Sequence, residues 1–177
     1  MIDQAITKAA HFLLAEAGKG FPEACHRMRF PHAGGFTGDK EVQQGDLFAR
    51  AVLGRICADL ARQATGVFDF SEPLGRIATR EADYLAQGKA PDRAGGWSYF
   101  PGLPELPPDL DSLAAAIRLF VACAPHYLPL CEEPVALALG RPGGARGLPS
   151  TWIIAPNDPP AAQAAMTRGI TLFWGEG

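Results

Sequence analysis

Three observations on the chain predict an all-α fold in a single domain. Apolar residues recur at helical spacing in several separate segments, most regularly at Phe48, Val52, Ile56 and Leu60. The segments are bounded by residues that start and stop helices, with prolines and acids ahead of them and glycines behind. The one run with strand character, Thr151-Trp152-Ile153-Ile154, has no second β-patterned run to pair with and reads as loop.

Taken in order, Ile2 to Ala17 places Ile2, Ile6, Ala9, Ala10, Leu13, Leu14 and Ala17 on one broad face, and Gly18 and Gly20 end the pattern. A loop to Asp39 carries Pro22, Pro31 and the pair Gly34-Gly35 before Phe36. A second helix is expected from about Glu41 to Gln63. Phe48, Val52, Ile56 and Leu60 would face inward with Leu53 and Cys57, leaving Arg50, Arg55, Asp59 and Arg62 outward. Ser71 offers a cap for a third helix running to Gln87, its inner face made of Leu74, Ile77, Ala78, Tyr84 and Leu85, with Gly88 as the stop.

The most informative stretch is Gly95 to Leu119, GGWSYFPGLPELPPDLDSLAAAIRL. Pro107 and Pro108 hold the backbone extended, so the fourth helix cannot start before Asp109, its expected N-cap. Asp111 and Ser112 fall in the first turn, where free N–H groups and the helix dipole favour negative charge. Among Leu113 to Val121 only Arg118 is charged, which predicts a helix packed on several sides. Beyond Ala124 the chain is Pro-rich and its connections are stiff. A short helix is expected from Cys131 to Leu139, then the loop RPGGARGLP. The last helix would begin at Asp158-Pro159-Pro160 and end near Trp174.

Composition narrows the function classes. The 177 residues are 47% hydrophobic and 20% charged, enough for one domain with a core. A net charge of −3 without any basic block argues against nucleic acid as a partner. The N-terminal segment carries Asp3, His11 and Glu16, unlike a signal peptide, and the apolar run Leu113 to Ala124 is too short to span a bilayer. A cytoplasmic protein is expected, soluble or in peripheral contact with a membrane. Cys25, Cys57, Cys123 and Cys131 lack CxxC spacing and read as reduced thiols. Cys25-His26 with Cys123, His126 and Cys131 would supply soft zinc ligands if two loops met, but the spacings match no zinc pattern; no metal or cofactor is expected. His11, His26, His32 and His126 form no triad with Ser71, Ser98, Ser112 or Ser150, which sit at caps or turns.

Phe36, Trp97 and Trp152 follow turns 61 and 55 residues apart, the first two directly after Gly-Gly. This period is too long for tetratricopeptide or ankyrin units and divides the six helices into three hairpins. The run Asp109-Leu110-Asp111-Ser112-Leu113-Ala114, reached through Gly-Gly-Trp and a Pro-rich loop, resembles the Asp-x-Asp-Asp-Thr-Ala helix start of squalene-hopene cyclases and other class II terpenoid cyclases. Those proteins share an α/α-toroid superfamily with prenyltransferase β subunits. Ser112 stands where that family has its last Asp, and Leu113 where it has Thr. The resemblance implies an α/α-toroid-like array of about three helical hairpins, half a toroid. It further implies a larger parent protein, or a second copy or partner closing the open side.

The resemblance also carries an activity, protonation-initiated cyclisation of an apolar isoprenoid. On that reading Asp111 is the acid, Asp109 its neighbour, and Trp97, Tyr99, Phe100 and Trp152 the cavity wall that stabilises carbocations. On the residues alone, Asp109 and Asp111 read as cap and dipole partner, and Trp97, Phe100 and Trp152 as packing between repeats. The alternative function is a non-catalytic α/α-repeat module that binds an apolar small molecule or a partner chain. Asp-Asp-x-x-Asp, which would hold magnesium for diphosphate ionisation, does not occur.

Overall fold

A computed structural model of the chain describes residues 2–30, 36, 43–63, 70–90, 93–140, 142–143 and 148–174. Gly34-Gly35, His32, the expected helix start at Glu41 and the terminal Gly175–Gly177 lie outside the described residues. The fold is mostly helical: α1 (Ile2–Gly18), α2 (Leu47–Gln63), α3 (Ser71–Gln87), α4 (Leu110–Cys123), α5 (Glu132–Gly140) and α6 (Pro160–Trp174), with a 3-10 helix at Pro125–Cys131. Two short antiparallel pairs are added, β1 (His26–Met28) with β2 (Gln43–Gly45), and β3 (Pro142–Gly143) with β4 (Leu148–Pro149).

Local chemistry accounts for most boundaries. Asp109 is extended, with φ −133° and ψ 156°, and its carboxylate accepts the Ser112 N–H, so the cap expected from the two prolines is present. By contrast, α2 starts later than its apolar pattern suggests. Gly45 lies so close to the Tyr99 carbonyl that a Cβ would stand 2.2 Å from it, and the segment before Asp46 pairs as β2 instead. Ser71 opens α3 but does not cap it; its hydroxyl donates to the Ala61 carbonyl at 2.8 Å and fastens the end of α2 to the start of α3. At the second Gly-Gly turn, Gly96 has φ +97°, and a Cβ on Gly95 would meet the Ile153 carbonyl at 2.6 Å.

The run Thr151–Ile154, assigned to loop, does find an extended partner. Trp152 bridges Asp109, the Leu110 N–H donates to the Thr151 carbonyl, and the Ile153 N–H donates to the Pro108 carbonyl. Its partner carries no β pattern because Pro107 and Pro108 supply the extended backbone, and proline still offers a carbonyl acceptor.

The larger correction concerns α2. Val52, Ile56 and Leu60, expected inward, are 41%, 48% and 40% exposed, and Arg50, expected outward, is buried. The Arg50 guanidinium donates to Glu81 at 2.5 Å, lies 3.5 Å from Asp46 and stacks 3.4 Å over the Tyr84 ring. Beside it the buried face is made of small residues, Ala51, Gly54, Cys57 and Ala58, which let the backbones approach. The ion pair and the small face together decide which side of α2 turns inward.

Helices α2 and α3 form an antiparallel hairpin, with Leu47 against Gly88, Arg50 against Glu81 and Ala61 against Ser71. Helix α4 lies beside α2 in the same direction. Phe48 stacks on Tyr99, whose N–H reaches the Asp109 cap, and further along Arg55 donates to the Arg118 carbonyl at 3.1 Å. In the same way α1 lies beside α3 in the same direction: His11 meets Phe70 edge-on, and Arg80 donates to the Ala17 carbonyl at 2.7 Å. Both lateral hydrogen bonds join residues 63 apart. The sequence echoes this spacing in Asp46 and Asp109, Leu47 and Leu110, Ala51 and Ala114, and Arg55 and Arg118.

The core falls into three clusters. Trp97, Leu113, Leu119 and Phe120 centre the one between α2, α3 and α4. Cys57, Leu74 and Ile77 centre the one beneath α1, and Phe30, Phe36, Phe100, Leu103 and Leu106 fill the one under the loops. Replacing Glu81 by Gln leaves Arg50 buried without its main counter-charge, and urea unfolding is expected to show a loss of about 3 kcal/mol. A loss below about 1 kcal/mol would mean that Asp46 and Tyr84 suffice to hold the guanidinium.

Candidate functional site: an open groove between two parallel helices

Turning the apolar stripe of α2 outward creates a groove between α2 and α4 of about 370 Å³. Phe48, Ala51, Val52 and Ile56 form one wall, Ala114 and Ala115 the other, with Asp111, Arg118, Arg55 and Asp59 at the margins. Helical spacing explains the set. Asp111, Ala114, Arg118 and Val121 are the exposed positions of α4, one stripe along the helix, and Val121 is 59% exposed. Four large apolar side chains, Val52, Ile56, Leu60 and Val121, therefore remain in water on adjoining helices.

Charge at the margins is partly committed. Arg55 donates to Asp59 at 2.8 Å, and Arg62 bonds the same carboxylate. The Arg55 hydrogen bond, reinforced by Arg62, holds the Asp59 carboxyl below the usual range. Asp111 is exposed in the first turn of α4, where the helix dipole favours it. Asp109 lies behind it, 3% exposed, accepting the Ser112 N–H and hydroxyl at 2.8 and 2.9 Å and the Tyr99 N–H at 3.1 Å. Burial pushes the Asp109 carboxyl up from its ordinary value, the hydrogen bonds from Ser112 oppose that, and the neighbouring Asp111 charge adds to it.

The aromatics expected to wall a cavity are spent on packing. Trp97 is 1% exposed, donates its indole N–H to the Leu85 carbonyl at 2.7 Å and meets Phe120 edge-on at 5.9 Å. Tyr99, Phe100 and Trp152 belong to the loop cluster with Phe30 and Phe36. The Tyr99 hydroxyl is bonded to His26 Nδ1. None of these four lines the groove; among the described residues its one aromatic is Phe48. Among the described residues no group of three or more His, Cys, Asp or Glu is disposed to hold a metal ion. Burial raises the Cys57 and Cys131 thiols to about 11, which makes both poor nucleophiles.

Sequence reasoning missed the groove because it read the strongest apolar period as the buried face. The signal that could have found it is the pair of small residues on the opposite side of α2, at Gly54 and Ala58, which marks close helix packing.

The raised Asp109 carboxyl has a consequence for stability. An acid whose folded pKa exceeds its unfolded one keeps its proton longer when folded, so its contribution is complete below about pH 3.8 and is lost as pH rises through the folded value. Stability of the wild type relative to Asp109→Asn is accordingly expected to fall across that window in urea titrations at stepped pH; a flat or rising difference would contradict a raised folded pKa. No protein-family model, curated protein or solved structure matches the chain.

Proposed function

We propose that this chain is a non-catalytic helical-repeat module, of α/α-toroid type and resembling half of a squalene-cyclase-like ring, whose α2/α4 face holds an apolar ligand or the apolar side of a partner chain. The observation that carries this reading is the outward stripe Val52-Ile56-Leu60, the most regular apolar row in the chain, set beside the exposed Val121. Support for the repeat architecture comes from the paired lateral contacts, in which α1 lies along α3 and α2 along α4 with hydrogen bonds spanning 63 residues in both cases. Stacked repeats leave apolar faces open where no neighbour covers them, which accounts for a groove of this composition.

Cationic cyclisation is the less favoured reading. Asp111 faces solvent at the margin of an open groove, and a carbocation there would be quenched by water. The better-buried acid, Asp109, is bonded on both oxygens to Ser112 and Tyr99 and is occupied as a helix cap.

Two measurements test this. Ile56→Asp is expected to weaken binding of the fluorescent apolar probe 8-anilinonaphthalene-1-sulfonate by about tenfold, since it removes the burial of one large aliphatic side chain. Equal affinity in wild type and variant would reject the groove as the binding face. Incubation with squalene is expected to give no cyclic product; a product that disappears with Asp111→Asn would restore the enzyme reading.

A further inference from the structure

The proposed binding face carries a charge pattern that selects its own partner. Along α4 the outward positions read Asp111, Ala114, Arg118, with Ala115 beside them, so acid and base stand two helical turns apart, about 10.5 Å. Midway between them the side chains are alanines, the smallest that a helix crossing can have. Neither the Asp111 nor the Arg118 side chain makes an ion pair among the described residues, and both are exposed.

Two ways of laying a second copy on this face can be compared. With the helices parallel and α4 over α2 of the second copy, Arg118 would stand level with Arg55, because those two residues are already level across the groove. Like charges would face each other. With a two-fold axis across the helices at the level of Ala114 and Ala115, α4 lies antiparallel over α4. Asp111 of each copy then faces Arg118 of the other, twice by symmetry. On α2 the same axis brings Val52 near its own equivalent and sets Arg55 over Phe48, a cation over an aromatic ring. Of the four charged groups on this face, Arg55 and Asp59 are paired with each other within one copy, and Asp111 and Arg118 are satisfied between copies.

We infer that the α2/α4 face is a self-complementary interface that pairs two copies of this chain antiparallel, with reciprocal Asp111–Arg118 contacts around an alanine crossing and the Val52 and Ile56 side chains covered by the second copy. The inference rests on the binding reading above and names its partner. It also gives Asp111 a role that suits its exposure better than proton donation.

Sedimentation velocity on the full chain at micromolar concentrations tests it. Wild type is expected to dimerise. Arg118→Asp and Asp111→Arg should each weaken the dimer at least about tenfold by setting like charges opposite one another. Mixing the two single variants should restore dimers as heterodimers, and the double variant Asp111→Arg/Arg118→Asp should restore homodimers. Circular dichroism verifies that each variant remains folded, as expected for exposed positions. A monomeric wild type, or a dimer indifferent to both reversals, would overturn the inference. In that event, probe binding still sensitive to Ile56→Asp would leave the binding reading standing, whereas insensitive probe binding would remove both.

Discussion

A Cβ at residue 54 would stand 2.9 Å from Glu81 Cβ and 3.1 Å from the Leu119 side chain, so α2 can lie against α3 and α4 together only while glycine occupies that position. The rest follows from this contact. Close approach brings Glu81 within reach of Arg50, and burying either charge without the other would be costly. With the small and ionic side of α2 committed inward, Val52, Ile56 and Leu60 of the same helix are turned outward. The groove is thus a by-product of how three helices meet, and its apolar wall is fixed by the core beneath it.

Much of the fold was legible in the sequence because punctuation is local chemistry. The prolines before Asp109 and Pro160, and the glycines after α1 and α3, act on one or two neighbouring residues, so the termini of α1, α3, α4 and α6 could be placed closely. The beginning of α2 could not, because Gly45 is constrained by the distant Tyr99 carbonyl rather than by its neighbours. The bridge between Asp109 and Trp152 escaped for a related reason: two segments without a shared pattern are paired by extended prolines. Where a residue's conformation is set by a partner far along the chain, periodicity carries no trace of it.

The orientation of α2 shows the limit more sharply. Periodicity identifies two opposite faces of a helix but does not say which is buried when one is aliphatic and the other is small with a single arginine. Arg50 tips the choice through Glu81 and Tyr84, both on α3, and through Asp46, which immediately precedes α2. The candidate acids fared differently. Asp109 is the cap its local sequence demands, and Asp111 lies on the exposed stripe of α4, where its surroundings are solvent and the groove. Trp97, Tyr99, Phe100 and Trp152 are all held by packing, as large aromatics in a small domain commonly are.

The lateral contacts at a separation of 63 residues also set an order of assembly. Closing a loop costs about 0.6 kcal/mol more for each doubling of its length. The α2–α3 hairpin, joined through the short connection from Gln63 to Ser71, is therefore the cheapest tertiary contact to make, and docking of α1 and α4 along its two flanks comes at a greater entropic cost. On the ribosome the hairpin and α1 have been synthesised before α4 exists, so the nascent chain presents the bare flank of α2, with Gly54 covered by Glu81 but open on its other side, until Leu119 arrives to close it.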